Sequence, residues 1–205
     1  MRDLCNEGAG RPNGLRPSEK ARFAKIACAA AAVGGAFGVS FVVAPGMNGV
    51  AGAALAGISV AIAVADYRQM VIPDELNASA LVVGLVAAGL NSSNVPFAAI
   101  LEAGIRAATM FAVFFVFRLL YRRLRGLEGM GLGDVKLAAA AGAWLDWSDL
   151  PIVVDISALA ALAALVSARF GGRELARTTR VPFGLFFAPS IWVCWALGAW
   201  RNGAV

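Results

Sequence analysis

The chain has 205 residues, of which 60% are hydrophobic and only 15% charged, against about 45–50% and about 25% in an ordinary soluble domain. With a mean hydropathy of +0.72 it cannot hide its apolar surface in a water-soluble core, and it reads as an all-α, polytopic membrane helix bundle. There is no histidine, which excludes Ser-His and Cys-His nucleophile pairs, the HExxH zinc helix and histidine proton relays, while the net charge of +5 is spread over short segments that do not make a nucleic-acid footprint.

In chain order, residues 1–22 are polar and rich in Arg, Gly and Pro and read as a flexible basic arm. Residues 23–48 hold the first apolar run, from about Ala24 to Val43, which stops at Ala44-Pro45-Gly46. Residues 49–205 hold six more, at about Gly49 to Ala65, Leu76 to Leu90, Phe97 to Leu120, Val135 to Leu145, Leu150 to Ala168 and Phe183 to Trp200. About seven transmembrane helices are therefore expected. Two of the runs, the third and the fifth, fall short of the roughly 20 residues a full span needs. Each begins beside an aspartate-bearing motif that can extend the helix. A cleaved signal peptide over residues 1 to about 43 is the weaker reading, because its basic n-region is too long.

Seven spans sort the positive charges. Arg2, Arg11, Arg16, Lys20, Arg22, Lys25, Arg68, Arg118, Arg122, Arg123, Arg125, Lys136, Arg169, Arg173, Arg177 and Arg180 fall on one side, and Arg201 on the other. The positive-inside rule then predicts an inner-membrane protein with a cytoplasmic N-terminus and an external C-terminus. Trp144, Trp147 and Trp200 fall at the external face, where amphipathic rings suit the headgroup layer.

Two polar islands share the cytoplasmic side. One runs from Asp66 through Ile72-Pro73 to Asp74; the other is Glu128-Gly-Met-Gly131-Leu-Gly133-Asp134-Val-Lys136-Leu. An ionisable residue at a membrane boundary is costly and marks function or a buried partner. Two aspartates within hydrogen-bonding distance share a proton, so one can act as general base towards water and the other as general acid. Peptide hydrolysis by such a pair needs neither metal nor histidine. The scattered Cys5, Cys28 and Cys194 offer no metal knuckle or disulfide framework, and neither a metal nor another cofactor is expected.

These blocks resemble the type IV prepilin peptidases, members of the GxGD class of membrane aspartic proteases. The resemblance rests on Asp66 with Ile72-Pro73-Asp74, on Gly129-Met-Gly-Leu-Gly-Asp134-Val-Lys136-Leu with Ala141-Gly-Ala-Trp144-Leu behind it, and on Val181-Pro182-Phe183-Gly184. It implies a catalytic pair at Asp66 and Asp134, a six-helix peptidase core over residues 49–205, and one extra N-terminal helix. It implies a prepilin-like substrate whose short basic leader is cut at the cytoplasmic face. Longer family members add a cytoplasmic cysteine tetrad and methylate the product; this chain has no such tetrad and looks like the short, peptidase-only form of tight-adherence (Flp) pilus systems. Leu185 stands where a proline is common.

The remaining residues have competing readings. Gly131 and Gly133 allow a substrate strand or a facing helix to lie against bare backbone, and Gly142, further along that helix, is expected to matter less to catalysis. Asp74 after Pro73 suits a helix cap or first turn better than catalysis. Lys136 either snorkels to the interface or serves the acidic site, by neutralising it, anchoring lipid phosphate or holding a substrate carbonyl. Glu102 and Arg106, at i, i+4 spacing, are expected to pair, with Asp155 joining them. Phe111, Phe114, Phe115 and Phe117 form a lipid-facing or packing surface. Membrane lipids are expected partners, and nothing in the residues specifies an oligomeric state. Two other functions fit parts of the pattern, a small proton-coupled transporter with an acidic relay and a presenilin-like intramembrane protease. The first lacks an internal repeat, and the second a Pro-Ala-Leu motif near the end.

Overall fold

The structure is a computed structural model that describes residues 31, 33–92, 95–126, 130–170 and 182–203. Every regular element among them is an α-helix. In order these are α1 (Val33–Val43), α2 (Met47–Gln69), α3 (Asp74–Asn91), α4 (Pro96–Arg125), α5 (Leu132–Trp144), α6 (Asp149–Phe170) and α7 (Gly184–Gly203). The seven helices fall on the seven apolar runs, and α3 and α5 do extend over their aspartates. The expected basic arm, residues 1–22, lies outside the described residues.

Chain punctuation sets the helix ends. Proline cannot donate a backbone hydrogen bond, so it suits positions at a helix start: Pro73 precedes α3, and Pro96 opens α4. Gly126 ends α4 with φ +67°, and Met70 ends α2 with φ +51°. For a side chain with a Cβ the left-handed conformation costs roughly 1–2 kcal/mol. Here it turns the chain sharply out of α2, so that Ile72 folds back and is buried.

α5 lies at the centre, packed against α3, α4 and α7; α2 packs against α3 and α7, and α6 against α7. Close approach rests on small residues, as in membrane bundles generally. Val135, Leu137 and the run Ala138 to Ala143 are all buried, Gly142 lies against the Arg106–Ala107 backbone, Gly84 against Trp144, and Gly52 against the Trp195 ring. Phe114 stacks on Phe187 with centroids 5.7 Å apart, while Phe117 is exposed, so the aromatic group on α4 both packs and faces outward. The outer faces of α4 and α6 carry exposed Ile105, Val116, Leu120, Leu159, Leu162 and Val166. By length and composition α2, α4 and α6 can each cross a membrane, and the molecule is a polytopic membrane bundle.

One end of the bundle gathers the C-terminus of α2 with the N-termini of α3, α5 and α7. The other end holds an ionic network. Arg106 Nη1 lies 2.8 Å from Glu102 Oε1 and 3.7 Å from Asp146 Oδ1, and its Nε donates to the Gly142 carbonyl at 3.3 Å. Arg201 Nη2 donates to both oxygens of Asp149, at 2.6 and 2.8 Å. Glu102, Arg106, Asp146 and Asp149 line a cavity of about 550 Å³. Asp155 does not join Arg106 as expected: α6 packs on α7, which leaves Asp155 exposed, and Asp146 takes its place. Trp144 also departs from expectation. Its ring turns inward over Gly84 and its Nε1 donates to the Ala80 carbonyl at 2.8 Å, whereas Trp147 and Trp200 are exposed.

Candidate active site

Asp66 sits in the last turn of α2 and is 5% exposed. Its Oδ2 accepts the Leu185 N–H at 2.9 Å, and the Gly184 N–H is also directed at it. The first N–H groups of any helix lack intrahelical partners and carry the positive end of the helix dipole. The start of α7 therefore holds this carboxylate in a fixed orientation.

Asp134 sits in the first turn of α5, where its Oδ2 folds back to accept the Gly131 N–H at 3.3 Å. Gly131 has no side chain to cap the helix, so Asp134 satisfies one of the free donors itself. Asp66 lies close enough for its charge to act on Asp134.

Ile72 separates the elements around the two acids. A Cβ on Gly133 would stand 3.1 Å from Ile72 Cβ, and one on Gly184 2.7 Å from Ile72 Cδ1 and 3.0 Å from Asp66 Oδ2. The isoleucine is thus received on both sides by glycine. The close neighbour of Gly133 is Ile72, in the α2–α3 connection. Gly131 is open, its nearest neighbour being Asp134 itself.

Asp74 is the first residue of α3, exposed at the surface, and its Oδ1 accepts from Lys136 Nζ at 2.6 Å. Lys136 thereby has a partner that none of the sequence readings named, and Asp74 is engaged by an ion pair with no contact to Asp66 or Asp134 among its hydrogen bonds. Gly129 and Val181 lie outside the described residues.

Three contributors were not singled out from sequence. The α7 start carries no charge, and only the Val181-Pro-Phe-Gly184 block signals it. Asn77 is 3% exposed and donates from Nδ2 to the Gly133 carbonyl at 3.1 Å; an amide inside the run Leu76 to Leu90 was its visible signal. Arg118 Nε donates to the Met130 carbonyl at 3.0 Å, tying the end of α4 to the approach to α5. Among the described residues no group of three or more His, Cys, Asp or Glu side chains is arranged to hold a metal ion.

Two carboxyl groups from different helices, each held by a backbone donor, can divide the roles of general base and general acid. Comparison with known proteins points the same way. Residues 53–166 match the type IV leader peptidase family. A prepilin leader peptidase/N-methyltransferase of Aeromonas hydrophila is 33% identical over 189 residues, 90% of this chain and 61% of that protein. Proteins of the same name from Aeromonas salmonicida and Burkholderia pseudomallei are 35% and 37% identical over 76% and 68% of this chain, and 52% and 45% of their own lengths. The chain thus spans about half the length of the curated relatives it matches. No solved structure matches it. Because the matched segment encloses Asp66, Ile72-Pro73-Asp74 and the whole Gly131 to Lys136 turn, the chain belongs to the type IV leader peptidase family.

Proposed function

We propose that the chain is a membrane aspartic endopeptidase that removes the short basic leader of a type IV prepilin-like precursor of the Flp type. The observation that carries this reading is that Asp66 and Asp134 stand at the same end of the bundle, near enough for the charge of one to act on the other, with the start of α7 holding the first. In the proposed mechanism one carboxylate takes a proton from water as it attacks the scissile carbonyl. The other, protonated, delivers its proton to the departing amine, so the pair finishes the cycle with its proton restored.

Charge supports a cytoplasmic site in the inner membrane. Arg68, Arg118, Arg122, Arg123, Arg125 and Lys136 belong to the aspartate end, and Arg106, paired with Glu102, and Arg201 to the other. Residues 49–205 make up the proposed peptidase unit, with residues 23–48 an added helix and 1–22 a basic arm. Lipid covers the outer faces of α4 and α6. Gly131, Gly133, Lys136, Ile72, Pro73 and Asp74 support the pair by shaping the chain around it rather than by acting on substrate.

The test is co-expression with candidate precursors and measurement of the mass shift. Wild type should shorten its precursor, and Asp66→Asn and Asp134→Asn should each abolish cleavage while the protein stays inserted. The double variant should be hardly worse than either single one, because the two groups act as a unit. Near-normal cleavage by a single variant would sink the assignment.

A further inference from the structure

Asp134 takes its position from the first turn of α5, and the residues before it include Gly131 and Gly133, which bring no side chain to fix that turn. It is held from outside, by α3. Asp74 and Asn77 stand about one turn apart on α3 and so share a face. Both reach α5, Asp74 through Lys136 at 2.6 Å and Asn77 through the Gly133 carbonyl at 3.1 Å.

The two ties differ in kind. The ion pair is solvent-exposed, with 41% and 71% of the side chains open to solvent, so it is screened and weak. Asn77 is 3% exposed and donates where water does not compete. Its Oδ1 is buried with no partner. A buried amide with an unmet acceptor is a liability for the fold, whereas a leucine of similar size would bury without one.

The carbonyl it grips has a particular leverage. Gly133 C=O and Asp134 N belong to one planar peptide unit, so fixing that oxygen fixes the Asp134 Cα from which the carboxyl projects. We propose that Asn77 is a positioning residue, which sets the orientation of the 133–134 peptide and with it the approach of Asp134 to Asp66. This rests on the peptidase reading for its catalytic consequence, but its geometric content does not.

The test uses the full chain in detergent with Asn77→Leu, which keeps the volume and removes the donor, and Asn77→Ser, which retains a shorter donor. Turnover of a cleavable precursor should fall about tenfold to a hundredfold in Asn77→Leu, as expected when a reacting group is displaced by about 1 Å. KM should stay close to wild type and the unfolding temperature should not drop; Asn77→Ser should be intermediate. The second readout needs no activity. In a background without the native cysteines, Asp66→Cys and Asp134→Cys should be bridged efficiently by a short bifunctional thiol reagent, and Asn77→Leu should cut that yield. An unchanged bridging yield overturns the inference, whatever happens to turnover. If wild type cleaves no precursor, the peptidase reading fails and the bridging yield still decides the role of Asn77.

Discussion

Gly142 lies where α5 crosses α4, the most extensive helix contact in the bundle. A Cβ there would stand 2.5 Å from the Arg106 carbonyl oxygen, 2.6 Å from its carbonyl carbon and 2.7 Å from Ala107 Cα. Non-bonded carbons prefer about 3.5–4.0 Å, and because all three neighbours are backbone, no change of rotamer relieves the clash. Gly142→Ala must therefore push two helices apart by about 1 Å, and overpacking of that kind costs about 1–3 kcal/mol. The upper part of that range applies, since separation also stretches the bond from buried Arg106 to the Gly142 carbonyl. Gly133→Ala meets something softer, the Ile72 side chain, at 3.1 to 3.5 Å. Its effect on unfolding should be small, but the methyl pushes Ile72 beside Asp66 and Asp134, and cleavage should fall about tenfold or more. Cys194 is free and buried, so with Cys5 and Cys28 replaced by serine a thiol-reactive dye reports unfolding directly, in parallel with the cleavage assay. Gly142→Ala is then no neutral control for Gly133→Ala, because it acts on the fold first. Equal unfolding temperatures for wild type and Gly142→Ala, or an earlier transition in Gly133→Ala than in Gly142→Ala, would refute this reasoning.

Chelators should leave cleavage unchanged, since hydrolysis is assigned to two carboxyls; loss in EDTA reversed by one added metal would overturn the dyad. Cysteines introduced at Asn48, Asn91 and Ser148 should react with an impermeant reagent from outside, and those at Arg125 and Arg173 should not. Asn48 and Asn91 line the same cavity as Asp146 and Asp149, at the end opposite the aspartates, and the reverse labelling would place the site on the external face. Arg201→Ala strips the buried Asp149 of its donor and should destabilise by about 1–3 kcal/mol. Adding Asp149→Asn should recover part of that loss in a double-mutant cycle, and strict additivity would show the pair to be uncoupled.

Local pattern carried the helices and not their partners. Apolar run lengths, with Pro73, Pro96 and Gly126 as stops, place all seven helices because burial and backbone satisfaction in a membrane leave little else for such segments to form. Asp66 and Asp134 stand out because each is an acid set in apolar surroundings. What holds Asp66, the Leu185 N–H, lies 119 residues away in sequence and belongs to a backbone group that any residue but proline would supply. Side-chain direction was equally hidden. Trp144 reads as an interface anchor by position but turns inward because Gly84 leaves room for its ring. Lys136 reads as a snorkelling or site cation, yet it meets Asp74 62 residues earlier because α3 and α5 begin at the same end. Asp155 and Asp146 exchange roles for a similar reason: the choice depends on which helix α6 packs against, which composition does not state.

From Leu137 to Ala143, α5 has no free face. Its alanines touch α3, α4 or α7 on every side, and a close-packed interior yields neither to an added methylene nor to rotation of one element. A helix able to swivel by one residue would carry Asp134 about 100° around its axis, away from Asp66. Filling every side with small residues removes that freedom without any specific bond. Sequence variation tolerated by the chain should therefore be lopsided, with the alanines of α5 admitting little beyond Gly or Ser and Gly142 admitting nothing larger. The outward face of α6 should accept almost any apolar side chain, which makes it the place to mount labels, tags or anchoring groups without disturbing the acids.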